Sequence, residues 1–368
     1  MTVVIAGGGT GGHTSPGLAV AVALRERGVR HAWIGSHDGV EARQAAEEGI
    51  DYHPISTGKL RRYWAWRNVT DLALNVPAGI VQAHALLRRL RPRVVLATGG
   101  FVALPVALAA TVQGVPVVVH EQTAVPGLAN RIAARLAGRI AVTFADSKRH
   151  FPAGRTVVTG NPLRPALRAG SRADAVTRFG LDPALPLLYV TGGALGAHAI
   201  NRAVGKAAAG LLERAQVIHQ CGDNPTTGDL AWLRAQREAL PPTLARRYTV
   251  QAWVGPELAD VYATAALVVA RSGAGTVNEC CQLGLPALYI PMPGASGDEQ
   301  TANATLVSRL GGCAILPQAS LTPALLLERV GALLAEPTAL KTMGECARGL
   351  AIPDAAERLV ALVLEVAA

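Results

Sequence analysis

Three times in this chain an apolar run stops at paired glycines and a helical pattern begins. Residues 2–6 lead into Gly7-Gly8-Gly9-Thr10-Gly11-Gly12-His13, residues 94–97 into Thr98-Gly99-Gly100, and residues 187–190 into Thr191-Gly192-Gly193. Such a unit reads as strand, tight turn and helix, because glycine tolerates the positive φ that the turn demands. With no side chains in the way, the turn's amides and the helix N-terminus suit a phosphate or another anion. Gly7-x-Gly9-x-x-Gly12 also matches the dinucleotide fingerprint, although the same spacing describes a plain tight βα turn.

Strand and helix patterns alternate along the rest of the chain, the mark of a parallel sheet covered by helices. Extended runs are expected at 31–35, 52–56, 94–97, 115–120, 139–143 and 156–159, then at 187–190, 216–220, 248–252, 267–270 and 286–290. Between these sets, Gly160-Asn161-Pro162-Leu163-Arg164-Pro165 reads as a linker. The expected class is α/β, with two Rossmann-like doubly wound parallel-sheet domains facing across a cleft. Their expected bounds are 1–163 and 164–344, and the segment from about 345 to 368, with an amphipathic run at 354–366, is expected to pack back on the first domain. Open parallel sheets bind ligands beyond the carboxyl ends of their strands.

Hydrophobic residues make up 50% of the chain and charged ones 17%, which suits a packed globular protein. No apolar run approaches the ~20 residues that span a bilayer. The first residues enter a strand without a basic leader, so no cleaved signal is expected and the cytoplasm is the expected compartment. Five cysteines without CxxC spacing read as reduced thiols in or near the core, not as zinc ligands. The net charge of +9 calls for anionic partners. Nucleic acid is not expected among them, since aromatics are only 4% and no DNA- or RNA-binding motif is present.

The positive charge is concentrated between residues 59 and 93, in Lys59, Arg61, Arg62, Arg67, Arg88, Arg89, Arg91 and Arg93. At 57–68, TGKLRRYWAWRN, basic side chains interleave with Tyr63, Trp64 and Trp66. That stretch reads either as a solvated loop or as a surface for anionic lipid headgroups. Residues 69–90 follow with helical periodicity.

In the second half, Arg271-Ser272-Gly273-Ala274-Gly275-Thr276-Val277-Asn278-Glu279 follows a strand and opens a helix. Its small residues, helix N-terminus and the Ser272 and Thr276 hydroxyls could hold a diphosphate. Glu279 could accept from ribose hydroxyls, or it could simply favour a first helical turn. The polar loop at 291–303 carries Gln300 and Asn303, whose amides both donate and accept. Its other reading is a helix entry capped by Asp298.

Taken together, these segments resemble the MurG family. The matches are Gly-Gly-Gly-Thr-Gly-Gly-His at 7–13, Gly-Gly-Phe-Val at 99–102, His-Glu-Gln at 120–122, Pro-Gly-Leu-Ala-Asn at 126–130 and Gly-Asn-Pro-Leu-Arg at 160–164. Arg-Ser-Gly-Ala through Glu at 271–279, Gln300 with Asn303-Ala304, and Ile-Pro-Asp at 352–354 complete the set, in order along the chain. The resemblance implies inverting transfer of N-acetylglucosamine from its UDP donor to lipid I, giving lipid II for peptidoglycan. It implies the two-Rossmann GT-B fold, an acceptor-binding first domain, a donor-binding second domain and no cofactor or metal. It also implies peripheral association with the cytoplasmic face of the membrane.

Residue by residue, the resemblance implies that Thr10, Gly11 and Gly12 line the cleft and that Arg164 contacts the donor. Ala274, Gly275, Thr276, Val277, Asn278 and Glu279 would surround the nucleotide, Gln300 and Asn303 would read the sugar, and Val254 would meet uracil. Two positions depart from the family. Thr123 stands where many members have Asn, and Ala194, where many have Ser, cannot offer a hydroxyl.

Inverting transfer needs a base, and His13 directly after the first glycine turn is the candidate. The alternative is that His13 only hydrogen-bonds locally or positions substrate. Three other functions compete: a nicotinamide-dependent oxidoreductase with Asp38 as ribose acid, a UDP-sugar epimerase of the same fold, and a lipid-docked binding subunit without catalysis.

Overall fold

The apolar runs form two all-parallel sheets. The first is built from β1 (Thr2–Gly7), β2 (Arg30–Ser36), β3 (Asp51–Ile55), β4 (Val94–Gly99), β5 (Val117–Glu121), β6 (Arg139–Val142) and β7 (Thr156–Val158). The second comprises β8 (Leu187–Thr191), β9 (Gln216–Gln220), β10 (Tyr248–Gln251), β11 (Ala265–Ala270), β12 (Ala287–Tyr289) and β13 (Cys313–Ile315). The computed structural model describes residues 1–9, 11–58, 75–294 and 296–368. Thr10 and the basic aromatic stretch at 59–67 therefore lie outside the described residues. The strand orders are β3-β2-β1-β4-β5-β6-β7 and β10-β9-β8-β11-β12-β13. In each sheet the winding reverses between its first strand and its fourth, β1 beside β4 and β8 beside β11. Those reversal points are where doubly wound sheets open a crevice for ligands. All three glycine turns, and the turn after β11, fall at them.

The strands read as continuous apolar runs because both faces of each sheet are covered. Along β1, Val4 and Ala6 point into one core with Val95, Ala97 and Val106, while Val3 and Ile5 point into another with Leu18, Leu24 and Trp33. Trp33 is fully buried, and its Nε1 donates to the Gly7 carbonyl at 3.0 Å. Gly17, in the helix Gly11–Glu26, must lack a side chain, since a Cβ there would stand 2.3 Å from the Trp33 ring. In the second sheet, Leu188, Val190, Val217, Val269 and Leu288 build the core against the helix His198–Leu212.

The chain divides into two units, Met1–Arg164 with Ile352–Ala368, and Pro165–Ala351. The terminal helix Ala355–Ala367 buries Leu359, Val360, Leu362 and Val363 in the core that holds Leu24, Leu96 and Val118 of the first unit. Each such side chain is worth roughly 1.5–3 kcal/mol of transfer free energy, so this helix is part of the first unit's core. Arg93 fastens its end, donating to the carbonyls of Ala367 at 3.0 Å and Ala368 at 2.9 Å. Residues 345–351, grouped with this helix on sequence, instead belong to the second unit, 345–348 as the last turn of the helix Pro337–Arg348. Strand β13 was not foreseen. Its residues Cys313-Ala314-Ile315 include a single β-branched one, whereas the equally short β7 is Thr156-Val157-Val158.

Among the described residues, no helix is long and apolar enough to cross a membrane. The five cysteines are free thiols; Cys221, Cys280, Cys281 and Cys313 are buried and Cys346 is half-buried.

Candidate functional site

Each unit carries one cluster of functional groups at its switch point. In the first unit the two glycine turns lie against each other. Gly8 N–H approaches the Gly99 carbonyl at 3.4 Å, and a Cβ on Gly100 would collide with the Gly8 carbonyl. The anion expected in the first turn is supplied by the chain itself. Glu41, fully buried at the start of the helix Val40–Glu47, accepts from Gly9 N–H at 3.0 Å through Oε2. Its Oε1 accepts from Ser36 N–H at 3.1 Å and Ser36 Oγ–H at 2.6 Å. The dinucleotide fingerprint is thereby corrected: the Gly9 amide that would meet a pyrophosphate is already committed, and Glu41 fills the space under Gly8. The sequence reading passed over Glu41, whose only signal was an acidic residue in a first helical turn.

His13 sits half-buried in the first turn of its helix with its ring against the second glycine turn. A Cβ on Gly99 would stand 2.7 Å from Nδ1, and one on Gly100 would stand 3.4 Å from Cδ2. These glycines have φ of +105° and +77°, so the close approach of the ring and the backbone conformation both require glycine there. His13 Nδ1 lies 3.0 Å from Gln122 Oε1, and the His13 carbonyl accepts from Thr98 Oγ1–H at 2.8 Å. Behind Gln122 lies His120, fully buried, with Nε2 3.0 Å from the Gly160 carbonyl. Burial pushes the His120 ring down to about 4, only partly opposed by its bond to Gly160, and nearby His13 lowers it further. His120 is therefore neutral at physiological pH.

Gly11 is exposed and Gly12 half-buried at the helix start, and open space surrounds the Gly11 Cα. Thr123 is buried, and its Oγ1 lies 2.7 Å from both Glu121 Oε1 and the Val125 carbonyl, so its hydroxyl is engaged internally. Arg164 ends the first unit half-buried, with its Nε buried and without a hydrogen-bond partner among the described residues.

In the second unit, the turn after β11 opens the helix Ala274–Leu283, whose N-cap Gly273 contributes no side-chain bond. The first-turn amides of a helix have no partner within it, and among the described residues nothing lies within 4 Å of a Cβ built on Gly273. Ala274, Gly275, Thr276 and Glu279 are half-buried, whereas Val277 and Asn278 are buried. Glu279 Oε2 accepts from the buried Tyr262 Oη–H at 2.7 Å. Tyr262 packs edge-on against Tyr189, with ring centroids 5.6 Å apart. Burial, with Glu279 next, raises the Tyr262 phenol well above its ordinary range and keeps it a donor.

The diphosphate role expected of Ser272 is corrected. Its side chain is fully buried and its Oγ–H donates to the Gln300 carbonyl at 2.8 Å. Asn303, also fully buried, holds the same turn from beneath, its Nδ2 donating to the Ser272 carbonyl at 3.1 Å. Gln300 Oε1 accepts from Met292 N–H at 2.9 Å, which leaves its Nε2 as the group it can offer. Asp298 is the N-cap of Glu299–Arg309, but its carboxylate binds the Thr301 hydroxyl at 2.8 Å instead of a backbone amide. Val254 is buried, and its N–H is taken by Gln220 Oε1 at 3.0 Å. Ala194 is exposed in the third glycine turn, where Gly193 N–H is bound by Thr191 Oγ1 at 3.1 Å and Gly196 N–H by the Gly193 carbonyl at 3.1 Å.

Two doubly wound domains, each with a side-chain-poor turn at its switch point, fit a sugar-nucleotide-dependent transferase. Sequence profiles agree: the glycosyltransferase family 28 N-terminal domain matches residues 3–142, and the family 28 C-terminal domain matches residues 187–359. The chain is a glycosyltransferase. It is 40% identical to the UDP-N-acetylglucosamine–N-acetylmuramyl-(pentapeptide) pyrophosphoryl-undecaprenol N-acetylglucosamine transferase of Nocardioides sp., over 99% of this chain and 98% of that one. The crystal structure of Acinetobacter baumannii MurG superposes with a TM-score of 0.73 at 29% identity, covering 99% of each chain. The chain belongs to the MurG family. A UDP-N-acetylglucosamine 2-epimerase-like protein from Listeria monocytogenes superposes with a TM-score of 0.72 over 98% of this chain and 95% of its own, but at 15% identity it shares the fold alone.

Proposed function

We propose that this chain transfers N-acetylglucosamine from UDP-N-acetylglucosamine to the muramyl 4-hydroxyl of lipid I, with inversion at the anomeric carbon. What carries the reading is that the family's segments at 7–13, 99–102 and 271–279 fall at the switch points of both sheets. The first unit receives the acceptor and the second the donor. His13 Nε2 takes the proton of the acceptor hydroxyl, whose oxygen bonds to the anomeric carbon as the bond to UDP breaks on the opposite face. The amides opening Ala274–Leu283, with Arg164, stabilise the charge gathering on the departing diphosphate. Glu279 accepts from the ribose hydroxyls, Gln300 Nε2 donates to the sugar, and the segment at Val254 meets uracil. Gly11 and Gly12, with Thr10, leave room for the acceptor. The basic aromatic residues at 59–67 hold the enzyme to the anionic cytoplasmic face of the membrane.

The test is incubation of the purified protein with labelled UDP-N-acetylglucosamine and a lipid I analogue, with other UDP-hexoses as competitors. Labelled lipid II and an equal amount of UDP are expected. Conversion of the free UDP-sugar without acceptor would instead support the epimerase reading. His13→Ala should reduce turnover far more than donor affinity, and near-normal turnover at saturating substrates would remove it as the base. Co-sedimentation with phosphatidylglycerol vesicles should fall when Lys59, Arg61, Arg62 and Arg67 are all replaced by Ser.

A further inference from the structure

We infer that Gln122 fixes the tautomer of His13, holding the proton on Nδ1 and thereby making Nε2 the atom that accepts a proton from substrate. The inference rests on the reading of His13 as the base and concerns how that base is prepared.

The argument follows the hydrogen bonds outward from the one group that cannot change role. A carbonyl oxygen only accepts, so His120 Nε2, 3.0 Å from the Gly160 carbonyl, must carry a proton. The ring is neutral, so its Nδ1 has a lone pair, which lies 3.1 Å from Gln122 Nε2. Gln122 Nε2 also faces the carbonyls of Thr98 and His120, the latter at 3.1 Å. Three acceptors around one nitrogen identify it as the NH2 end of the amide, since the flipped amide would point its oxygen at all three. Gln122 Oε1 is thereby left facing His13 Nδ1 at 3.0 Å. An amide oxygen cannot donate, so Nδ1 must.

Neutral His13 then has its lone pair on Nε2, away from Gly99 and Gly100, against which Nδ1 and Cδ2 rest. Gln122 is 1% exposed and locked from three sides, so the arrangement is built in before substrate arrives. Gln122 is a positioning residue: it acts through His13, and its own side chain is spent on the protein. The two groups are 109 residues apart in the chain, and only the adjacency of β1, β4 and β5 brings them together.

The experiment is long-range proton–nitrogen correlation NMR on the full-length protein labelled with nitrogen-15 histidine, the His13 signals being assigned by their loss in His13→Asn. At a pH where His13 is neutral, the Nδ1–H pattern with an unprotonated Nε2 is expected. An Nε2–H pattern would overturn the inference without any appeal to activity. In Gln122→Leu the fixed pattern should give way to a mixture of tautomers. The kcat of that variant should fall by about 10- to 100-fold, less than the roughly 10²- to 10⁴-fold that a general base supplies, because part of the mixture keeps the productive tautomer. Its KM for UDP-N-acetylglucosamine should stay within about two-fold of wild type, because Gln122 lies in the first unit. A folded Gln122→Leu protein with wild-type kcat would overturn the inference. Full turnover in His13→Ala beside an Nδ1–H signal in wild type would instead leave the tautomer standing and remove the base reading.

Discussion

Replacing Glu41 with glutamine tests whether an internal carboxylate holds the first glycine turn. The wild-type side chain is fully buried and accepts from two backbone amides, Gly9 at 3.0 Å and Ser36 at 3.1 Å, and from the Ser36 hydroxyl at 2.6 Å. An amide of the same shape must turn its NH2 toward one of those backbone donors. That strands a buried N–H at a cost of about 1–3 kcal/mol. The remaining bonds lose charge assistance, and with it about 1–2 kcal/mol together. Against this, a neutral side chain no longer has to be kept ionised away from water, which returns a part of the loss. The returned part is small, because the N-terminus of Val40–Glu47 already favours the negative charge. A net loss of about 2–4 kcal/mol remains, which for a unit of this size lowers the unfolding midpoint by roughly 4–16 °C. Calorimetry of the intact variant reads the shift in the first unit's transition. Turnover at saturating substrates should also fall, since the loosened turn leads directly into the helix that carries His13. A variant with the melting profile and the kcat of the wild type would refute the reasoning and make the Glu41 bonds incidental to the turn.

Gly99→Ala should cut kcat by more than about tenfold, because its Cβ would stand 2.7 Å from His13 Nδ1 at φ +105°. Calorimetric titration with UDP-N-acetylglucosamine should show an unchanged Kd. Tyr262→Phe removes the 2.7 Å bond to Glu279 Oε2. The KM for donor should rise by about 5- to 20-fold with kcat little changed, and an unaltered KM would detach Glu279 from the ribose. Stability should fall on acidification because His120 and His219 are buried neutral, burial lowering them to about 4 and about 3. Their unfolded counterparts titrate near 6.5, so this stability is fully present above that pH and is lost as pH falls through the folded values. Each should cost its own unit about 2 kcal/mol between pH 7 and pH 5. Urea unfolding at the two pH values checks this, and in His219→Phe the slope of the second unit should flatten.

Much of the fold was legible in the sequence because buried parallel strands are written as uninterrupted apolar runs, as in Val94-Val95-Leu96-Ala97. Paired glycines then marked where each run had to turn. Short β13 was not legible, because Cys313-Ala314-Ile315 holds one β-branched residue where the equally short β7 holds three. Of the candidate site, the turns could be located but not their occupants. Glu41 looks like any acidic residue opening a helix until the backbone brings it under Gly9. Ser272 and Asn303 looked like groups for a ligand, yet both are buried beneath the turn that opens Ala274–Leu283. Local spacing says which residue types are present at a turn. Which way a side chain faces depends on partners such as Gln300, far along the chain.

The closure of the first unit by Ile352–Ala368 has a consequence for biosynthesis. On the ribosome, the half that is made first must wait with Leu96 and Val118 of its sheet uncovered while every residue of the other half is translated. The second half can finish folding as it emerges, so the earlier one matures last. Slow translation or chaperone shortage should therefore expose the older half first.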